Sequence, residues 1–257
     1  MFRNLLANMS PAVKNILILN VIFFFAQWAL PKIMPSLMLF PFSSENFEPW
    51  QLATHFFMHG GIGHLFFNMF ALVIFGSNLE RVWGPKRFLI YYIACAFGAA
   101  ILHQLVLHIE LKSLLSLSTE YDWITMKSYG NEIIANNTSP DGNSIFLRKD
   151  SKYGVNITKE ILNAYQTINT PMLGASGAVF GLLAAFGYLF PNTELMLLFP
   201  PIPIKAKFFV IGYAVLELYL GFSNNPTDNV AHFAHLGGAL VGIIIVIIWQ
   251  RNKNQFF

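Results

Sequence analysis

The 257-residue chain is 55% hydrophobic and only 11% charged, with 26 Phe and a mean hydropathy of +0.52. Soluble domains carry about 25% charged side chains, and disordered, collagen-like or disulfide-stapled chains are excluded by the high apolar content, the aperiodic glycines and the lone Cys95. A net charge of +3 from scattered basic residues argues against nucleic-acid binding, which leaves a polytopic membrane protein.

Charge-poor stretches of roughly 17–25 residues can each cross a bilayer as a helix. The sequence predicts six, at about 15–30, 64–82, 88–107, 176–190, 206–222 and 230–249, the fourth being short. Six alternating crossings put Arg3, Lys14, Arg81, Lys86, Arg87, Lys205, Lys207, Arg251 and Lys253 on one side, while the short connections opposite hold only Lys32. The positive-inside rule makes the basic side, with both termini, cytoplasmic. The first crossing has Arg3 and Lys14 ahead of an apolar run, as a signal peptide would, but no small-x-small cleavage site follows.

Before and within the second crossing, Thr54-His-Phe-Phe-Met-His-Gly-Gly-Ile-Gly-His-Leu-Phe-Phe-Asn68 brings together His55, His59, His64 and Asn68. Polar and ionisable residues are costly in lipid, so each is a functional candidate. His64 and Asn68 are four apart and share one helix face, about 6 Å apart along the axis. Both can donate hydrogen bonds toward one point. The structural alternative is bonding to neighbouring helices.

Between the third and fourth crossings, residues 108–170 turn polar, with seven acidic and six basic side chains. This segment is expected to be external and to form an accessory element or lid. Within it, Thr158 to Ile168 has apolar residues at helical spacing.

Gly174-Ala-Ser-Gly-Ala-Val-Phe-Gly181 follows this loop and opens the fourth crossing. The Ser176 N–H is then among the unpaired donors of a helix N-terminus, suited to a developing negative charge. The plainer reading makes Ser176 an N-cap. The soluble-hydrolase pattern G-x-S-x-G fails because residue 178 is Ala. In the last crossing, Ala231-His-Phe-Ala-His-Leu-Gly-Gly-Ala-Leu-Val-Gly242 supplies His232 and His235. Gly177, Gly181 and Ala185 form a small-residue stripe on one helix, and Ala234, Gly238 and Gly242 form another. Such stripes let helices approach closely in lipid. If the two faces meet, Ser176 and His235 lie at one membrane depth, and a hydroxyl beside an imidazole is an activated nucleophile.

These motifs resemble the rhomboid family of intramembrane serine proteases over roughly residues 50–107 and 171–249. Gly174-Ala-Ser-Gly177 is similar to the family's G-x-S-G, and Ala234 to Gly242 to its A-H-x-x-G-x-x-x-G. His59 to His64 with Asn68 resembles H-x-x-x-x-H-x-x-x-N, and Glu80-Arg-Val-Trp-Gly84 resembles E-x-x-x-G. The resemblance implies an all-α, six-transmembrane-helix bundle forming one domain over 1–257, with the insertion at 108–170. It implies an endopeptidase that cleaves transmembrane or juxtamembrane segments of membrane proteins, without metal or cofactor. Ser176 would be nucleophile and His235 base; the Ser176 N–H, His64 and Asn68 would hold the oxyanion. His55, His59 and Gln104 would support the site or retain water.

By the same resemblance the partners are transmembrane substrates and the bilayer, and the location is a bacterial plasma (inner) membrane. The family uses a dyad, and no acid partner for His235 is evident in the sequence. Two departures stand out: Trp50-Gln51 where many members have Trp-Arg, and the insertion, expected to gate the site or select substrates. Two alternatives are a non-catalytic relative that binds transmembrane segments and a His-liganded membrane metalloenzyme. His55 with His59, and His232 with His235, have helix-ligand spacing, but H-E-x-x-H is missing and the crossings offer few carboxylates besides Glu217.

Overall fold

A computed structural model describes residues 9–139, 144–196, 201–223 and 230–252. Among them, regular structure is helical apart from one two-stranded ribbon and isolated bridges. Two compact units emerge: residues 1–39, 49–103 and 172–257, and residues 40–48 with 104–171.

The first unit begins with α1 (Pro11–Ala29), which has Pro at its first turn, where a missing N–H costs nothing. Its N-terminal donors are capped from elsewhere in the chain. The Glu80 carboxylate accepts the Ser10 hydroxyl at 2.5 Å and the Ala12 and Val13 N–H groups at 2.9 Å each. An anion at a helix N-terminus also complements the helix dipole.

Next come α2 (Ile62–Ala71), a π-helical segment (Leu72–Gly76) and α3 (Ser77–Leu115). Helical geometry breaks at Gly84, whose φ of 76° suits glycine, and Pro85 restarts the helix. The chain folds back there. Twelve residues along one straight helix would separate Gly76 from Phe88 by about 18 Å, yet the Phe88 ring lies 3.2 Å from where a Cβ on Gly76 would stand. Glu80-x-x-x-Gly84 thus joins a cap for α1 to the reversal between the second and third crossings.

Residues 11–29, 62–115 and 232–251 are long and apolar enough to span a membrane, and 62–115 contains the reversal at Gly84. The remaining apolar helices are shorter: α6 (Ser176–Leu189) and α7 (Ala206–Phe222). The ribbon between them pairs β1 (Glu194–Met196) antiparallel with β2 (Pro203–Lys205), Leu195 opposite Ile204. The last crossing is α8 (His232–Asn252). Phe25, Trp28, Phe67, Val215 and Tyr219 stand outward on these helices, as lipid-facing residues do.

Every residue of α6 from Gly177 to Gly187 is buried, marking it as the central helix. The two small-residue stripes meet. A Cβ on Gly238 would overlap the Gly177 carbonyl, and one on Gly242 would lie 3.0 Å from the Gly181 Cα. From α3, Cys95 and Ala99 close over Gly181 and Gly177, and the Tyr91 hydroxyl donates to the Gly181 carbonyl at 2.6 Å.

The second unit has its own core of Met126, Ile133, Val155, Ile161 and Tyr165 between α4 (Glu120–Asn137) and α5 (Lys159–Asn169). Thr158 caps α5 by accepting the Ile161 N–H, so the helix predicted there forms. Asp150 accepts the N–H groups of Tyr153 and Lys152 and the Asn137 amide, which hold its carboxyl below the ordinary range.

Candidate active site

Ser176 is the first residue of α6, and Ala175, not Ser176, is the N-cap. With Ala175 in that position, the plainer reading of Ser176 as the N-cap does not hold. Its backbone N–H belongs to the first turn, whose donors have no partner within the helix.

The loop ahead of Ser176 is tied down by backbone bonds. Leu39 and Met172 exchange N–H···O bonds of 2.9 and 2.8 Å, and the Gly174 N–H donates to the His55 carbonyl at 3.0 Å. Gly174 has φ 115°. A Cβ there would lie 2.8 Å from His64 Nε2 and 3.8 Å from Ser176 Oγ, so the imidazole and the hydroxyl flank this glycine. His64 Nδ1 accepts a long bond from the Gly60 N–H at 3.4 Å, which puts the ring proton on Nε2, the Gly174 side.

Asn68, one turn further along α2, is buried and donates from its amide to the His64 carbonyl at 3.0 Å. One of its two N–H donors is therefore engaged within the helix. His59 sits beside His64 with ring centroids 5.1 Å apart, and its backbone exchanges bonds with the Gln27 amide of α1. Its own Nε2 is buried without a partner. His55 is buried, with Nδ1 2.8 Å from the Gln51 carbonyl.

Gln51 and Trp50 both donate to the Ser36 carbonyl, at 3.4 and 3.0 Å, and Thr54 donates to that of Leu37. The segment where the sequence lacks the family arginine is braced by these bonds. Gln104 belongs to the second unit. There its amide donates to the Phe40 carbonyl and accepts the Phe42 N–H, both at 3.0 Å.

His235 lies near the start of α8, its ring stacked on Phe180 at 4.2 Å and 6° between planes. Phe180 is one turn after Ser176 on the same face of α6, which brings the imidazole to the end of the helix that carries the serine. The sequence shows no carboxylate beside His235, and the folded chain brings one there from another helix. Glu217 of α7 places Oε2 2.8 Å from His235 Nδ1 and 2.7 Å from His232 Nδ1. All three side chains are buried. An isolated ionised side chain at the centre of a span costs about 2.5–3.5 kcal/mol on insertion scales, so two ring N–H donors matter for a carboxylate here.

The sequence pattern does not single out His103 of α3, which is half-buried, with a buried Nδ1 that has no partner, and is an electrostatic neighbour of both His55 and His235. The signal for Glu217 and His103 was the presence of an ionisable residue inside a predicted crossing.

Comparison with known proteins agrees with this architecture. A rhomboid domain is recognised over residues 46–112 and 148–252. The chain is 30% identical over 223 residues to RHOMBOID-like protein 12, mitochondrial, of Arabidopsis thaliana, covering 85% of this chain and 52% of that one. It is 25% identical over 222 residues to Rhomboid protein 1, mitochondrial, of Saccharomyces cerevisiae, covering 86% and 48% respectively. A shorter stretch of 54 residues is 43% identical to Rhomboid protease GluP of Bacillus subtilis, covering 21% of this chain and 11% of that one. The chain spans about half the length of the first two relatives. With that domain matched across most of the helical bundle, this multi-pass integral membrane protein belongs to the rhomboid family.

Proposed function

We propose that the chain is an intramembrane serine endopeptidase working through Ser176 and His235. The observation that carries this reading is the stacking of His235 on Phe180, one turn along α6 from Ser176, the first residue of that helix. The Ser176 hydroxyl attacks the scissile carbonyl carbon as His235 Nε2 takes its proton. The oxyanion is held by the Ser176 N–H, the His64 Nε2–H and the second N–H of Asn68. Collapse breaks the C–N bond, and His235 passes the proton to the leaving amine. Water, deprotonated by the same imidazole, then attacks the acyl carbon, the C–Oγ bond breaks, and His235 returns the proton to the Ser176 oxygen. His55 and His59 support this end of the site, with the orphaned His59 Nε2 offering a position for water.

The substrates proposed are transmembrane or juxtamembrane segments, cut near the face opposite the basic connections. The basic side is the one from which the protein inserts. A bacterial plasma membrane in particular draws little support from relatives named mitochondrial.

The test co-expresses the chain with single-span reporters tagged at both ends. Ser176→Ala and His235→Ala should each lower cleavage by at least about a thousandfold while the proteins stay folded. A fully active Ser176→Ala variant would end the nucleophile assignment.

One observation favours a second reading. Glu217, His232 and His235 each offer a ligand atom, all within 4.8 Å of one another, a donor set that suits zinc. Without an ion, Oε2 of the carboxylate is already in hydrogen-bond contact with both imidazoles. A stoichiometric metal whose removal abolishes activity would support this reading.

A further inference from the structure

We propose, resting on the Ser176–His235 reading, that Glu217 is the positioning residue of the base, making the site a serine–histidine–glutamate relay. An ionised carboxylate only accepts hydrogen bonds. With Glu217 Oε2 2.8 Å from His235 Nδ1 and 2.7 Å from His232 Nδ1, both ring nitrogens must be the donors. Neutral His235 is then the Nδ1–H tautomer, and its unprotonated nitrogen is Nε2, the one that can accept the Ser176 proton.

Two contacts fix the ring. The Phe180 face, 4.2 Å away and nearly parallel, sets the plane of the imidazole. The Glu217 bond, from a different helix, prevents rotation within that plane. Nε2 therefore projects away from the edge of the ring that Glu217 holds. When His235 takes the serine proton it becomes an imidazolium with its Nδ1–H still on the carboxylate. The proton on Nε2 leaves with the amine, and Glu217 is never protonated. His232 supplies the second donor, which holds the carboxylate in place in surroundings where an unpaired anion is costly.

The test uses the purified full chain and a fluorescent fluorophosphonate, with Ser176→Ala as the blank. Glu217→Gln should label about 100- to 10,000-fold more slowly than wild type, the range expected when a base loses its orienting acid. Glu217→Asp, which keeps the carboxylate, should label faster than Glu217→Gln even if both are equally destabilised in thermal unfolding. Nitrogen-15 histidine spectra of the wild type, with His235→Asn for assignment, should show His235 as the Nδ1–H tautomer at neutral pH.

An Nε2–H tautomer would overturn the assignment without recourse to any Glu217 variant. Wild-type labelling rates in Glu217→Gln, with Ser176→Ala silent, would overturn the role of Glu217 and leave the serine nucleophile standing. No labelling of the wild type would overturn the nucleophile itself and this role with it.

Discussion

Gly174 shows how much chemistry a single missing side chain can carry. Its φ of 115° is one that other residues rarely adopt, and a Cβ there would lie 2.7 Å from His64 Cε1. Backbone strain and side-chain clash thus act at one atom, beside both Ser176 and His64. Gly174→Ala is expected to lower fluorophosphonate labelling by about a hundredfold, the cost of roughly 1 Å of misplacement. Gly60→Ala is the control, because its Cβ would meet only ordinary contacts at 3.8 and 3.9 Å. Equal labelling by the two variants would mean that Gly174 does not set the geometry. The sequence could nominate Ser176, His64 and His235, since each is a polar residue at the end of an apolar run. It could not pair Glu217 with His235. The two lie on different helices, and only the packing of α7 against α8 brings the carboxylate to Nδ1.

At the scale of elements, association of α6 with α8 depends on backbone approach, since apolar side chains give no hydrophobic drive in lipid. The stripe spacing was legible because a repeat of four residues keeps one face of a helix small. Gly238→Ala would drive a methyl group into the Gly177 carbonyl. It is expected to cost about 1–3 kcal/mol and to weaken the fold before it touches the chemistry. Gly212→Ala, in α7, has nothing within 4 Å of its Cβ and should be neutral or slightly stabilising. Denaturation in detergent micelles, followed by helical circular dichroism, compares the two. A Gly238→Ala variant as stable as Gly212→Ala would show that the helices can separate without loss.

Helix ends are less legible in the sequence than stripes. α3 continues to Leu115, past the predicted end near residue 107, because apolar content falls there while helix-forming Glu110, Leu111 and Lys112 continue the turn. The π segment at Leu72–Gly76 left no mark in the hydrophobic pattern.

For the whole molecule, the recognised rhomboid domain passes over residues 113–147, which lie in the unit with its own core around Met126, Ile133 and Ile161. Composition marked the polar insertion, but not the membership of residues 40–48, which are drawn in by contacts such as the 3.0 Å bond between the Phe42 N–H and Gln104. Six crossings with a basic side make a definite statement about which surfaces share a compartment. Residue 151 of the insertion and residue 205 of the ribbon should face opposite sides of the bilayer, because one crossing, α6, separates them. Cys95 is fully buried and is the one cysteine in the sequence, so the native chain gives a low background for thiol labelling. Single replacements Ser151→Cys and Lys205→Cys, both at exposed positions, report the two faces. In sealed, uniformly oriented vesicles a membrane-impermeant maleimide should modify one variant at once and the other only after detergent is added. Modification of both from the same face would remove α6 as a crossing, and Ser176 could then no longer lie within the membrane between two aqueous compartments.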